Sequence, residues 1–214
     1  MARSQIAPIT KGRLSLEGVL TVPAHARSVI LFAHGSGSGR LSPRNTVVAR
    51  HLQDGGLATL LFDLLTPDEA NDREKVFDID LLADRLLMAN AWLGQQPTAK
   101  AWSIGYFGAS TGAGAALQAA AREPSNVQAV VSRGGRPDLA EPYLGAVTAP
   151  TLLIVGGNDT PVIAMNQSAY DRLTCEKGLT IVPGATHLFD EPGTLEQVAD
   201  HAYTWFIRHL QTRK

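Results

Sequence analysis

Ser110 stands between two glycines in the segment GASTG (108–112), directly after an apolar run. This G-x-S-x-G spacing is typical of a tight turn from a strand into a helix, which presents the corner side chain at the carboxyl edge of a sheet. The corner residue takes a strained backbone geometry, and side chains at the flanking glycines would collide with the crossing strand and helix. Ser110 is therefore a candidate nucleophile for acyl transfer, although a serine that merely permits the turn fits the motif equally well.

A nucleophilic serine needs a base to accept its proton and an acid to orient that base. Asp159 and His187 each follow a predicted strand downstream of Ser110. The carboxyl ends of parallel strands meet at one edge of a sheet, which brings the three residues together in the order Ser, Asp, His. Asp159 as the cap of a helix starting near Pro161, and His187 as an ordinary loop histidine, are the plainer alternatives. We predict a catalytic triad of Ser110, Asp159 and His187.

The negative charge of an acyl-transfer intermediate needs backbone N–H donors, the oxyanion hole. One donor is predicted at Thr111, whose amide lies at the N-terminus of the helix after Ser110. The second is expected from the glycine-rich loop AHGSGSG (33–39), where we assign the amide of Ser36, with Gly37 as the alternate. His34 of this loop is predicted to bond loop carbonyls rather than to act as a base.

The same glycine-rich loop resembles a nucleotide-binding loop only superficially. Gly35, Gly37 and Gly39 are spaced G-x-G-x-G, whereas the dinucleotide fingerprint is G-x-G-x-x-G. The next predicted strand ends at Asp63 without the rest of that fingerprint. We therefore expect no dinucleotide cofactor.

Three arginines follow predicted strand ends on the same edge and are candidates for recognising a substrate carboxylate or phosphate. They are Arg40, Arg44 and Arg133. Structural ion pairs with loop carboxylates such as Asp63 or Asp138 are the favoured alternative for each, and the sequence leaves their roles open.

The elements that must position these residues alternate along the chain. Short runs that are apolar on both faces indicate strands buried in a mostly parallel sheet, and helical patterns separate them. The expected strands are residues 28–35, 57–65, 102–110, 127–135, 150–159 and 179–187; the clearest helices are 43–54, 79–93 and a final one that opens with a capping box of Thr194 and Gln197. Residues 12–23 indicate an antiparallel edge strand or hairpin, and the acidic segment 66–75 indicates a solvated loop.

Composition and charge narrow the class of protein. The 214 residues fit a single domain, 1–214, and a net charge of −1 with 44% hydrophobic residues gives no electrostatic basis for binding nucleic acid or anionic membrane. Cys175 is the only cysteine, which excludes an internal disulfide and a cysteine-rich zinc site. No signal-peptide core or membrane-spanning run is present, so we expect a soluble cytoplasmic protein.

The segments HGSGSG, GASTG, GGND and GATH, in this order, resemble the α/β-hydrolase superfamily, in particular its dienelactone hydrolase-like members. The resemblance covers nearly the whole chain. It implies the α/β class, a doubly wound sheet of about eight strands with the second strand antiparallel and helices on both faces, the same triad, and no metal or organic cofactor. Dienelactone hydrolases carry cysteine at the corner, where this chain has Ser110; Cys175 lies near the end of a helical segment instead.

The expected function is that of a serine hydrolase that cleaves small carboxylic esters or lactones through an acyl-enzyme on Ser110. Only residues 136–149 separate the strand after the nucleophile helix from the acid-bearing strand, so we expect no large lid and small substrates. A thioesterase, peptidase or acyltransferase with the same triad, and a ligand-binding protein on a hydrolase fold, remain as alternatives. The chain is expected to be a monomer or a homodimer.

Overall fold

One eight-stranded sheet organises the protein, whose computed structural model describes residues 2–210. The strand order across the sheet is β1-β2-β4-β3-β5-β6-β7-β8. The strands are β1 (Arg3–Lys11), β2 (Leu14–Val22), β3 (Ser28–Ala33), β4 (Ala58–Phe62), β5 (Ser103–Ala109), β6 (Ala129–Arg133), β7 (Thr151–Gly156) and β8 (Lys177–Val182). All pairs formed among the strands β3 to β8 are parallel, which confirms the doubly wound sheet predicted from the alternating runs.

The N-terminal residues form the antiparallel hairpin β1–β2. Residues 12–23, expected to form an edge strand or a hairpin, supply only its second strand, and β1 was not predicted from the sequence. Strand β2 also pairs antiparallel with β4, with Leu20 opposite Leu60. Strand β1 is therefore the edge of the sheet, and β2 lies inside it. The second strand is antiparallel to its neighbours, as the family resemblance implied.

Seven α-helices and one 3₁₀ segment connect the strands within residues 2–210. They are α1 (Pro43–Asp54), α2 (Pro67–Ala70), α3 (Arg73–Val76), α4 (Ile79–Gly94), α5 (Thr111–Arg122), the 3₁₀ segment Pro137–Ala146, α6 (Thr160–Arg172) and α7 (Thr194–His209). Helix α1 begins as predicted, with Pro43 in its first turn and the Ser42 hydroxyl accepting from the Asn45 amide. Within the described part of the chain, no large lid covers the carboxyl edge of the sheet.

Each face of the sheet carries its own hydrophobic core, because successive strand residues point to opposite faces. Tyr106 packs with side chains of α4 and α5 on one face. Its neighbour Phe107 packs with side chains of α1 and α7 on the other. Both rings are fully buried. These two layers fix the parallel strands so that their carboxyl ends, with the loops that follow them, lie along one edge.

Two sequence predictions of local structure are wrong. Helix α7 begins after Gly193, which is left-handed at φ +77°, and Thr194 caps nothing: its hydroxyl donates to the Glu191 carbonyl instead of accepting from Gln197. The turn at Gly193 places Thr194 already inside the helix, so the capping box expected between Thr194 and Gln197 does not form.

The acidic segment 66–75 is not a loop, because it forms α2 and most of α3. Thr66 and Glu69 make a complete capping box, each side chain bonding to the backbone N–H of the other. Asp72 caps α3 in the same way through the Glu74 amide. The high charge of the segment concealed these local start signals.

Candidate active site

Ser110 occupies the corner between β5 and α5. Its backbone lies at φ +52° and ψ −122°, one of three non-glycine residues with positive φ in residues 2–210. The Ser110 amide donates to the Arg133 carbonyl at 3.2 Å, and the Ser110 carbonyl accepts from the Ala113 and Arg136 amides at 3.0 Å each. Neighbouring strand and helix thus hold the strained corner from both sides, as expected for a nucleophile elbow.

The two glycines that flank Ser110 allow the strand and helix to cross. A β-carbon on Gly108 would lie 2.4 Å from the Ala113 Cα, and one on Gly112 would lie 2.2 Å from the Ala33 carbonyl oxygen. Both contacts involve backbone atoms, so a side chain at either position forces the elbow apart. The G-x-S-x-G pattern is here a steric requirement.

Asp159 and His187 are hydrogen-bonded at 2.6 Å, between Oδ2 of the carboxylate and Nδ1 of the ring. Asp159 directly precedes α6, yet its side chain makes no capping hydrogen bond to that helix. Because an ionised carboxylate only accepts, Nδ1 carries the proton and Nε2 is left with its lone pair. An imidazole held in this tautomer can accept a proton at Nε2.

Ser110 and His187 line one cavity of about 210 Å³, which we call the nucleophile pocket. Ser110 Oγ makes no hydrogen bond within residues 2–210, so the two side chains meet across the pocket without a direct bond. Catalytic hydrogen bonds are often loose in the free enzyme and tighten when substrate binds. The sequence order Ser, Asp, His therefore corresponds to one site at the carboxyl edge.

The two predicted oxyanion donors lie next to each other, but one of them is engaged. The Ser36 amide donates to Thr111 Oγ1 at 2.9 Å. The Thr111 amide is at the first position of α5, where helix N–H groups have no partner within the helix. The oxyanion assignment to Ser36 and Thr111 stays a prediction, and for Ser36 it requires the Thr111 hydroxyl to turn away.

The chain is similar to known proteins over most of its length. A model of the dienelactone hydrolase family matches residues 16–211. The chain belongs to that family. A dienelactone hydrolase from Anabaena variabilis is 54% identical and superposes with a TM-score of 0.96 over 98% of this chain and 99% of its own. Est1E from Butyrivibrio proteoclasticus, 16% identical over 95% of this chain and 98% of its own, shares the fold with a TM-score of 0.81.

Two proteins from strains of Mycobacterium tuberculosis, provisionally named phosphoribosyl transferases, are each 58% identical to this dienelactone hydrolase family member over 97% of its length. The chain spans 47% of the length of each of these relatives. Membership in the dienelactone hydrolase family is the basis on which a hydrolase activity is proposed for this chain.

Cys175, the only cysteine, lies far from the elbow of this dienelactone hydrolase family member. Cys175 lies two residues before the start of β8, at the amino edge of the sheet, whereas Ser110 lies at the carboxyl edge. The residue is half-buried, and burial raises the pKa of its thiol. A raised pKa disfavours the thiolate that a cysteine nucleophile needs.

His34 has the structural role expected of it. Its Nδ1 donates to the Gly35 carbonyl at 3.0 Å, and its Nε2 accepts from the Leu64 amide at 3.0 Å. Burial lowers the pKa of the ring, which keeps it neutral and able to accept. His34 thereby ties the loop after β3 to the loop after β4.

The three arginines behave differently from one another. Arg40 is paired with Asp63 at 2.5 Å and with Glu17, as the structural interpretation predicted. Arg44 contacts Asp190 at 3.2 Å. Arg133 is only 7% exposed, and its Nε and Nη1 find no hydrogen-bond partner among residues 2–210. Asp138, the other expected partner, pairs with Arg136 instead.

A second cavity of about 350 Å³ adjoins the first, and we call it the apolar pocket. The two cavities share Gly35, Ser36 and Ser38 as a common wall. The rest of the apolar pocket is mostly hydrocarbon, contributed in large part by the segment 66–75, which the sequence interpretation took for a loop, and by the next residue, Val76. Its apolar lining residues are Leu65, Pro67, Ala70, Val76 and Leu82.

Proposed function

We propose that this protein is a serine hydrolase that cleaves small carboxylic esters or lactones through an acyl-enzyme on Ser110. The observation that carries the proposal is the 2.6 Å bond between Asp159 and His187, made at the pocket that Ser110 lines from its strained corner. An aspartate that oriented a helix instead would leave His187 without a fixed tautomer.

The proposed reaction follows from these positions. His187 Nε2 takes the proton of Ser110 as Oγ attacks the carbonyl carbon, and Asp159 stabilises the imidazolium that forms. The Thr111 amide, with the Ser36 amide once released, donates to the oxyanion. Collapse of this intermediate breaks the ester bond, and the His187 proton passes to the departing oxygen. Water, deprotonated by His187, then releases the acid and restores Ser110.

The size of the site supports small substrates. The nucleophile pocket of about 210 Å³ and the apolar pocket of about 350 Å³ together hold a compact ester on both sides of its carbonyl. With no large lid, little additional apolar surface surrounds a long acyl chain. A lactone fits the same scheme, because its leaving oxygen stays tethered to the acyl group.

Two other functions share this geometry. A thioesterase, peptidase or acyltransferase uses the same triad with a different bond or acceptor, and parallel turnover of matched ester, thioester and amide substrates distinguishes them. A ligand-binding protein on this fold predicts saturable binding without product. The transferase name of the mycobacterial relatives belongs to proteins about twice as long, and the triad offers no specific support for phosphoribosyl transfer.

The decisive experiment is labelling with a fluorophosphonate, followed by intact mass and peptide mapping. We expect a single adduct on Ser110, lost in Ser110→Ala and slowed by roughly 10²-fold or more in His187→Ala. Ser38→Ala is the matched control, since Ser38 lines the same pocket away from the elbow. Labelling of Ser38, or no labelling of folded protein, would contradict the proposal.

A further inference from the structure

Arg133 stands next to the nucleophile through the register of the sheet. It is the last residue of β6 and lies opposite Ala109, the residue before Ser110. Because strand side chains alternate, Arg133 is on the same face as Val131, within the core that α1 and α7 cover. The apolar face of β6 thus ends with the guanidinium of Arg133.

This guanidinium is buried and forms no salt bridge with the residues from 2 to 210. It lies over the ring of Phe189, whose centroid is 5.8 Å from the Arg133 Cζ. Burial, and then the positive charge of Arg44, lower the pKa of Arg133 to about 10 against the opposing effect of Asp190. A charge taken out of water is costly unless it is paired, so the position favours an anion from outside the chain.

The nucleophile pocket is where that anion would bind. Arg133 and Arg44 both line it, together with Ser110 and His187. Arg44 also keeps a buried Nε without a hydrogen-bond partner in residues 2–210, while its Nη1 contacts the exposed Asp190 carboxylate at 3.2 Å. The guanidiniums of Arg44 and Arg133 therefore line the same pocket as Ser110. Within residues 2–210, only that of Arg44 has a carboxylate partner.

On the basis of the proposed function, we propose that Arg133 is a specificity-determining residue that binds an anionic oxygen group of the substrate, a carboxylate or a phosphate, beside the carbonyl attacked by Ser110. Arg44 supplies a second contact when it turns from Asp190. The apolar pocket, across the shared wall of Gly35 and Ser36, takes the other side of the substrate. The preferred substrate is thus an ester or lactone that is anionic at one end and apolar at the other.

The test compares substrates that differ only in charge. Mono-4-nitrophenyl glutarate and 4-nitrophenyl valerate have acyl chains of equal length, and 4-acetoxybenzoate against phenyl acetate places the acid on the leaving group instead. We expect kcat/KM to favour the anionic member of at least one pair. Arg133→Met is expected to reduce that preference, the ratio of kcat/KM for the anionic ester to kcat/KM for the neutral ester, by about 10- to 100-fold.

Arg136→Met is the matched control, because Arg136 pairs with Asp138 and lines neither pocket. It is expected to leave the preference unchanged. A purely structural role for Arg133 predicts instead that Arg133→Met lowers Tm and reduces turnover of both esters equally. Removal of an unpaired buried charge predicts the opposite, a Tm that is equal or higher. Arg133→Lys, which keeps the charge without the planar fork, is expected to fall between wild type and Arg133→Met.

Binding to the Ser110→Ala protein separates this inference from the proposed hydrolysis. Inorganic phosphate and glutarate are titrated by calorimetry into Ser110→Ala and into the double variant with Arg133→Met. Binding that needs Arg133 supports the subsite even if no ester is hydrolysed, and the anion that binds identifies its chemistry. Binding of neither anion, together with an unchanged charge preference in Arg133→Met, overturns the inference whether or not Ser110 is labelled.

Discussion

At the scale of single residues, the side chain of Asp159 is the observation that favours the proposed catalytic site over an ordinary turn. Sequence allowed it to cap α6 or to orient His187, and the structure directs its carboxylate to His187. Backbone spacing could not have decided this, because a residue before a helix is placed equally well for either partner. The burial of Arg133 was similarly undecided, although an arginine that directly ends an apolar strand run was a visible signal.

Asp159→Asn is expected to reduce kcat by roughly 10³- to 10⁴-fold, because an amide no longer fixes the His187 tautomer or stabilises its charged form. The unfolding free energy should change little through α6, since Asp159 makes no capping bond to that helix. Steady-state kinetics and thermal unfolding of the variant measure both effects. Asp190→Asn, in the loop that carries His187, is the control, and an equal loss of kcat in that variant would argue against a specific role for Asp159.

At the scale of elements, the elbow between β5 and α5 was predictable because its sequence must satisfy a steric rule. Gly108 and Gly112 have no room for a β-carbon, which is why their spacing is informative without any relatives. The start of α7 and the helices of 66–76 were not predicted correctly. Those elements depend on one-residue choices between local hydrogen bonds, such as the Thr194 hydroxyl bonding to Glu191, which patterns of hydrophobicity do not record.

The elbow also makes a prediction about stability. Ser110→Gly is expected to be more stable than Ser110→Ala by about 1 kcal/mol, because glycine takes positive φ without a β-carbon penalty. Both variants lack the hydroxyl, so both should be inactive. Chemical denaturation of the two proteins measures the difference. Equal stability, or a less stable glycine variant, would show that the corner at φ +52° carries no strain.

At the scale of the whole molecule, sequence was sufficient for the architecture. Strand runs that are apolar on both faces can be buried only between two layers of helices, and the structure has these two cores. The number of strands and the antiparallel second strand came from resemblance to a family, and the order of the strands was not predicted. Periodicity alone gives strands and helices, but it does not say which strands are neighbours.

Acid stability is a property of the whole molecule that His34 influences. The pKa of His34 is lowered from 6.5 in the folded protein, so below about pH 6.5 the unfolded chain binds a proton that the folded protein resists. Stability is therefore lost as pH falls, by up to about 1.4 kcal/mol per pH unit until the lowered pKa is reached. Protonation also removes the acceptor of the Leu64 amide.

His34→Gln should be less stable at neutral pH, yet its free energy of unfolding should decline less steeply between about pH 7 and 5. Urea denaturation at a series of pH values measures the slope. His201→Gln, at an exposed position of α7, is the control and is expected to keep the wild-type slope. If all three proteins show one slope, His34 does not contribute to acid sensitivity.

The short helices α2 and α3 contain no buried residue, although the segment they form lines the apolar pocket. Three residues of these helices line the pocket, Pro67, Ala70 and Val76, and of these only Val76 packs against a core, from a partly buried position. One wall of the proposed substrate site thus contributes little to either core. Substitutions there can retune selectivity at almost constant stability, whereas the elbow and the buried strands tolerate few changes. The proposed reaction centre thus lies on rigid, buried elements, whereas one wall of the proposed substrate site lies on exposed helices that tolerate substitution. This division allows the substrate preference to be redesigned without disturbing the fold.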